Sequence, residues 1–193
     1  SGVACVIPDA YGGPMDLHRP EAPEPYSLLP KTADFTVTSA DLRNHEPMSR
    51  RHAAEGDETS PQLSWTGAPE GTKSFAVSCF DPDAPTPAGF WHWTVLNIPA
   101  SVTELAADAG AEGGHNLPEG AFMVSADTGT KAWAGMAPPP GDRPHRYILA
   151  VHALDTEDLG LDNSASATVA AFTMLFHTIG RGTLTGTYQA RED

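Results

Sequence analysis

The sequence predicts a single domain built mostly of β-strands. Glycine and proline number 18 each, a balance typical of many short strands joined by turns. Short apolar runs rich in β-branched residues recur between these turns, whereas only one segment has a helical repeat. A chain of 193 residues suits one domain with a short appendage better than two full domains.

Apolar runs of strand length predict eight strands. They fall at residues 35–39, 63–65, 74–81, 91–98, 122–125, 131–135, 147–154 and 183–188. The runs Ser74–Asp81 and Trp91–Ile98 are almost continuously apolar, so we expect both strands to be central and buried on both faces. Cys79 lies within the first of these runs and is expected to be a small buried side chain.

One helix is predicted near the end of the chain. From Ser166 onward, Val169, Phe172, Phe176 and Ile179 recur at three- and four-residue spacing, which is the repeat of one helix face. Ser164 or Ser166 is expected to cap the start, and Gly180 to end the helix.

Residues 1–33 are predicted to form an extended proline-rich arm, followed by the domain at 34–193. We expect Tyr26, Leu28 and Leu29 to anchor this arm on the surface or on a partner subunit; a mobile tail is the alternative. The start of the chain lacks a signal-peptide pattern, and no apolar stretch is long enough to cross a bilayer. The sequence therefore predicts a cytoplasmic protein without stable membrane insertion, and leaves an already cleaved leader open.

The formal net charge of −14 argues against nucleic-acid binding, because the field of the chain repels polyanions and no run of Lys or Arg offsets it. An anionic ligand must therefore be held by a local arrangement that works against the overall charge.

Polar and titratable side chains cluster where predicted strands end or begin. Asp81 and Asp83 follow one strand in the sequence Asp-Pro-Asp-Ala-Pro, whose two prolines make the backbone rigid. His92 lies between two tryptophans at the start of the next strand. A proline turn with Pro138 and Pro139 precedes His145, Arg146 and Tyr147 at the start of a third strand. Taken singly, each feature is as well explained by a turn or a core histidine.

Taken in order, these stretches resemble the phosphatidylethanolamine-binding protein family, also called the Raf kinase inhibitor protein family, over roughly residues 35–190. The matching words are Ser60-Pro61, Leu63-Ser64-Trp65, Asp81-Pro82-Asp83-Ala84-Pro85, Trp91-His92-Trp93, Pro138-Pro139, His145-Arg146-Tyr147 and Gly186-Thr187-Tyr188. The resemblance implies a central antiparallel sheet packed on a smaller sheet, with few peripheral helices. It also implies an anion pocket and, for the bacterial branch that the compact sequence is most similar to, a homodimer.

Carried onto this chain, the family's ligand-binding residues fall on Asp81, His92, His145 and Tyr147, with Asp83 beside them and Pro138 and Pro139 shaping the rim. Imidazoles and a phenol can donate hydrogen bonds to phosphate oxygens. Arg146 alternates with Tyr147, so it should point to the other face of the sheet, into a structural ion pair.

We therefore predict a non-catalytic protein that binds a small phosphate-bearing or other anionic ligand, with no cofactor and no tightly held metal. The resemblance also suggests regulation of a kinase or protease partner. The alternative is an enzyme that uses the same histidines and aspartates for acid–base chemistry or for a metal. The sequence lacks the Gly-x-Ser-x-Gly nucleophile elbow of hydrolases, the His-Glu-x-x-His helix of metalloproteases and the phosphate-binding loop of NTPases.

Overall fold

The computed structural model describes residues 17–191 and contains two β-sheets and one α-helix. The strands are β1 (Ala33–Asp34), β2 (Thr36–Thr38), β3 (Leu63–Thr66), β4 (Ser74–Asp81), β5 (Phe90–Pro99), β6 (Glu104–Leu105), β7 (Phe122–Met123), β8 (His145–Leu154) and β9 (Thr178–Tyr188). The helix α1 spans Ala167–Leu175, and single 3₁₀ turns lie at Pro25–Leu28 and Arg50–His52.

The large sheet has the strand order β1-β9-β8-β4-β5-β7, and the small sheet has the order β2-β3-β6. Neighbouring strands are antiparallel, except that β1 pairs with β9 in parallel. The main core lies between the sheets, where Trp65 of β3 packs with Val77, Leu149 and Val151 of the large sheet. The expected mostly-β fold, a larger sheet packed on a smaller one, is confirmed.

The two strongest apolar runs form the interior of the large sheet. β4 has the predicted bounds and β5 exceeds them by one residue at each end. Both strands have a neighbour on each side within the sheet, and successive side chains along their central parts are buried, so both faces of each strand are covered. Cys79 is fully buried and unpaired, as expected. Cys5 lies outside the described residues.

The predicted helix exists, but its end and its buried face differ from expectation. Ser166 is the N-cap, and its hydroxyl accepts from the Val169 amide at 3.1 Å. The helix ends at Leu175, because residues from Thr178 onward join β9. Its buried side chains are Ala167, Ala170 and Met174.

The periodic residues that indicated the helix therefore lie mainly on its outer face. Val169, Phe172 and Phe176 are 48%, 64% and 69% exposed. The spacing identified a helix correctly, but spacing alone cannot say which face meets the sheet. Small side chains at Ala167 and Ala170 allow the closer approach.

The strand predicted at 131–135 is wrong. Its backbone donors go to separate partners: the Trp133 amide to the Gly110 carbonyl, the Ala134 amide to the His92 carbonyl, and the Gly135 amide to a carboxylate oxygen of Glu58. No single neighbouring strand pairs with this segment, so it is a buried loop held by three different regions. The two-residue strands β1 and β6 gave no signal in the sequence.

The described part of the arm runs across the domain. Tyr26 lies against the large sheet, with its ring centroid 5.8 Å from that of His152, whereas Leu28 and Leu29 are 69% and 36% exposed. The expected boundary at residue 33 falls inside β1. No helix within residues 17–191 is long and apolar enough to span a membrane.

Candidate functional site

The C-terminal end of β4 and the N-terminal ends of β5 and β8 meet at one end of the large sheet. The antiparallel register sets Asp81 opposite Phe90, and Phe80 opposite Ile148, so polar residues at these three strand ends become neighbours. Asp81 bonds to His145, and the Tyr147 ring centroid lies 6.5 Å from that of His145 and 5.1 Å from that of His92. The structure thus brings these four predicted site residues together.

His145 lies between two carboxylates. Its Nδ1 is 2.8 Å from Asp81 Oδ2 and its Nε2 is 2.7 Å from Asp142 Oδ2, while its side chain is 1% exposed. Two carboxylate partners require both ring nitrogens to donate, which only the charged imidazolium can do. Burial lowers the pKa of His145, but the hydrogen bonds and charges of Asp81 and Asp142 outweigh it and raise the pKa overall.

Asp142 is the site residue that the sequence analysis missed. The Asp142 amide donates to the Pro139 carbonyl at 3.1 Å, with Pro140 next and Gly141 at φ +80°, which is the type II turn that proline and glycine favour at these positions. The turn holds the Asp142 carboxylate against His145. Burial opposes ionisation of Asp142, but hydrogen bonds from Arg19 and His145 lower its pKa to about 2.

Arg19 connects the arm to this site. Its guanidinium donates to both oxygens of Asp142, at 2.8 and 3.2 Å, and to the Asp83 carbonyl. Arg143 in turn donates to the Arg19 and Pro20 carbonyls at 2.8 and 3.2 Å. The arm therefore covers the site edge with backbone carbonyls and one cation. In the sequence, the three-residue separation of Asp142 and His145 is the one signal for the contact between these two residues. Nothing in the sequence indicated the contacts of Arg19.

His92 reaches the site through a β-bulge. The pairing of β4 with β5 passes from Cys79–Trp93 to Phe80–Trp91, so His92 is the extra residue. Simple alternation would place His92 on the face opposite Trp93; the bulge re-aims its ring toward Tyr147. His92 Nδ1 lies 2.8 Å from the Ala134 carbonyl, and burial lowers the pKa of His92, so this imidazole is neutral.

Asp83 is committed to a structural pair. Its carboxylate receives Arg146 Nε and a terminal nitrogen at 2.8 Å each, as well as the Arg146 backbone amide at 2.8 Å. Burial opposes ionisation of Asp83, but these bonds lower its pKa overall. The ion pair expected for Arg146 is present. The partner of Arg146 is Asp83, which the family resemblance places beside the ligand.

Two polar atoms at the site have no partner among the described residues. The Tyr147 hydroxyl and Arg143 Nε are both buried and make no hydrogen bond within residues 17–191. A buried polar atom without a partner is costly, and such atoms often mark a place where a ligand or water binds. Tyr147 is fully buried, so its hydroxyl has no access to bulk solvent.

The remaining predicted residues, Pro138 and Pro139, lie next to the turn that carries Asp142. Pro138 is buried and Pro139 half-buried. Within residues 17–191, no group of three or more His, Cys, Asp or Glu side chains is arranged to hold a metal ion.

The charges at the site are balanced, whereas the whole chain is strongly acidic. Four cationic groups (Arg19, Arg143, Arg146 and the His145 imidazolium) meet four carboxylates (Glu21, Asp81, Asp83 and Asp142). The site thus has no excess of negative charge in a chain whose formal net charge is −14.

The fold and this site define a two-sheet β protein with a buried histidine–aspartate cluster at a strand edge. A family model for phosphatidylethanolamine-binding protein matches residues 38–189. The chain belongs to the phosphatidylethanolamine-binding protein family.

Bacterial relatives support this assignment. The protein YbcL of Escherichia coli is 43% identical over 166 residues, covering 83% of this chain and 91% of YbcL, and YbhB of the same organism is 41% identical over 157 residues, covering 79% and 98%. The crystal structure of YbcL, described as a member of the mammalian family, matches with a TM-score of 0.80 over 82% of this chain and all of that one. A Chlamydia trachomatis homologue matches with a TM-score of 0.70 at 26% identity, over 83% of this chain and all of that one.

Proposed function

We propose that the cluster of His92, His145 and Tyr147 binds a small anion of the phosphate or phosphoester type. One observation carries the proposal: an anionic oxygen, supplied by Asp142, already lies 2.7 Å from His145 Nε2. The ring of Tyr147, whose hydroxyl has no partner within residues 17–191, lies 6.5 Å from that of His145. A ligand oxygen at the same position would receive a charge-assisted hydrogen bond from the imidazolium.

Binding then proceeds by exchange of one anion for another. Asp142 belongs to a turn outside the sheet, so its carboxylate can leave without breaking strand pairing. The incoming anion would take over His145 Nε2 and the cationic partner Arg19, and would accept from the Tyr147 hydroxyl. Asp81 stays on His145 Nδ1 and keeps the ring charged and oriented.

Calorimetric titration of sulfate, inorganic phosphate and phosphoethanolamine at pH 5.5, 7 and 8 tests the proposal. Affinity should fall as the pH rises through the raised pKa of His145, because the imidazolium then loses its charge. Sulfate keeps the same charge over this range, so it separates titration of the protein from titration of the ligand. Sulfate affinity that does not change with pH would contradict the role given to His145.

Three variants sharpen the test. Tyr147→Phe should weaken phosphate binding roughly tenfold, the value of about one hydrogen bond to a charged group. Asp142→Asn should strengthen it, because the competing internal anion is gone. His177→Ala is the matched control: His177 Nδ1 is also 2.8 Å from a carboxylate, that of Asp155, but it is 39% exposed and lies outside the site. Weaker binding by Asp142→Asn would overturn the exchange.

A homodimer remains a prediction, and the exposed apolar side chains of the arm and of α1 support it. Leu28, Leu29, Val169, Phe172 and Phe176 are all at least 36% exposed. Sedimentation should show a dimer that Phe172→Asp weakens. A monomer at high protein concentration would contradict it.

A further inference from the structure

A cavity lies on the opposite face of the large sheet from His145 and Tyr147. It has a volume of about 180 Å³. Strand side chains form its floor, α1 forms one wall and the 3₁₀ turn of the arm forms another; Tyr26, Phe80, Trp91, His152, Met174 and Arg181 are among the lining residues. Alternation along β8 separates the two regions, because His145 and Tyr147 point to one face and His152 to the other.

The lining is mainly apolar and contains one cation, Arg181; its other polar groups belong to His152 and Tyr26. Arg181 is 9% exposed and its guanidinium lies 4.6 Å from the centre of the Tyr26 ring. No carboxylate of residues 17–191 forms a salt bridge with it, whereas Arg19 and Arg146 each have one within 3 Å. Burial is the main influence on Arg181 and lowers its pKa, whereas Tyr26 and the Glu24 carboxylate act in the opposite direction from beyond salt-bridge distance. A buried cation without a directly paired carboxylate is costly.

The hydrogen bonds around Arg181 leave its two terminal nitrogens available. Arg181 Nε donates to His152 Nδ1 at 3.1 Å, so that nitrogen accepts and the ring proton lies on Nε2, which is 2.9 Å from Ser78 Oγ. Within residues 17–191, no hydrogen bond is found for the terminal nitrogens of Arg181, and these two atoms are not completely buried. The hydrogen bond to His152 orients the guanidinium at the cavity that Arg181 lines.

We propose that this cavity is a second ligand site, which binds a small apolar carboxylate of one ring or one short branched chain. The carboxylate would pair with the terminal nitrogens of Arg181, the bidentate geometry that arginine offers to this group. The ring would pack between Trp91 and Met174. The volume accommodates about one ring, and the apolar lining disfavours inorganic phosphate or sulfate.

The test is a titration of the full chain with phenylacetate, 2-phenylethanol and 2-phenylethylamine, followed by calorimetry and by amide NMR shifts. These probes share a ring and differ in charge. Phenylacetate should bind about tenfold more tightly than the alcohol and the amine should not bind, because only the acid supplies the missing counter-anion. The largest shifts should be at amides of α1 and of β9 around Arg181.

Ala171→Phe places a ring in the cavity from its wall and should abolish binding of phenylacetate. Val169→Phe is the matched control, since Val169 is 48% exposed on the same helix and does not line the cavity. Arg181→Met should remove the preference for the acid over the alcohol. Should Arg181→Met fail to fold, Ala171→Phe and the three probes still decide the matter.

Several results would overturn the proposal. Equal binding of acid and alcohol would show that Arg181 takes no part. Shifts confined to His145 and Tyr147 would assign phenylacetate to the other site. Absence of binding, or binding that Ala171→Phe leaves unchanged, would exclude the cavity. Sedimentation that shows a dimer which Ala171→Phe dissociates would make the cavity a contact between two copies of the chain.

Discussion

Two buried histidines on the same strand have opposite charge states. His145 opens β8 and His152 stands seven residues later, and they are 1% and 3% exposed. His145 has a carboxylate on each nitrogen, and its pKa is raised overall. His152 has a hydroxyl and a guanidinium as partners, and burial, followed by the charge of Arg181, lowers its pKa to about 3.

The difference teaches that burial does not by itself decide protonation. Desolvation disfavours the charged form of both rings, and the sign of the neighbouring charge decides the outcome. One face of the sheet thus holds a cationic imidazole between two carboxylates. The other holds a neutral imidazole that orients a cation.

The largest expected effect is a difference in the free energy of unfolding between variants of the two histidines. His145→Leu should lower the free energy of unfolding by about 3–5 kcal/mol, because it leaves Asp81 and Asp142 buried without their shared cation. His152→Leu should cost about 1–3 kcal/mol, since it removes the hydrogen bond with Ser78 and the one donated by the Arg181 guanidinium, but leaves no buried carboxylate unpaired. Urea unfolding at pH 7 measures both. Equal losses would remove the distinction between a charged and a neutral ring.

A second prediction concerns the pH dependence of stability. The pKa of His152 is lowered on folding, so its contribution is complete above about pH 6.5 and is lost as the pH falls toward about 3. The pKa of His145 is raised on folding, so its contribution is complete below about pH 6.5 and is lost as the pH rises through the folded-state value. On the acid side and on the alkaline side of the stability curve (its acid and alkaline flanks), each histidine changes the free energy of unfolding by at most about 1.4 kcal/mol per pH unit.

Unfolding midpoints from pH 4 to pH 9 test this prediction in the wild type and in His152→Leu. The variant should lose part of the acid flank and keep the alkaline one. The acid flank of the wild type also contains carboxylates, so only the difference between the two proteins is assigned to His152. An unchanged acid flank in His152→Leu would mean that His152 is charged in the folded protein.

A smaller effect is expected where the arm meets the site. Arg19→Ala should cost about 1–2 kcal/mol and should speed protease cleavage near residue 20, because the bonds from Arg19 to Asp142 and the Asp83 carbonyl are lost. The matched control Arg50→Ala removes an exposed pair with Glu55 at 3.6 Å and should cost less than about 1 kcal/mol. Cleavage at equal rates in the two variants would show that Arg19 does not hold the arm.

The smallest effect should be at Tyr147. Its buried hydroxyl has no partner within residues 17–191, so Tyr147→Phe should be neutral or stabilising by up to about 1 kcal/mol. Tyr188→Phe is the control, because the Tyr188 hydroxyl donates to Glu55 and its loss should destabilise the protein by about 0.5–1.5 kcal/mol. A clear loss of stability in Tyr147→Phe would show that the hydroxyl is already bonded in the free protein.

Much of the fold could be predicted because it depends on local patterns. Continuous apolar runs identified β4 and β5 as interior strands, and the serine cap with its periodic residues identified α1. The segment 131–135 has the composition of a strand but no partner strand, and pairing is a property of the whole chain. The exposed phenylalanines Phe172 and Phe176 show the same limit, because periodic spacing identifies residues on one helix face but does not show whether that face packs against the sheet.

The sequence by itself determined which chemical groups stand at the strand ends: Asp81, His145 and Tyr147 follow from strand bounds and alternation, whereas His92 joins them only through the β-bulge. Only the tertiary structure decided their states and partners. The charge on His145 depends on Asp142 and Asp81, which approach from a turn and from another strand, and the cover over the site depends on Arg19, 123 residues before Asp142. Electrostatic interaction acts through space rather than along the chain, so these contacts arise only when the strands have assembled.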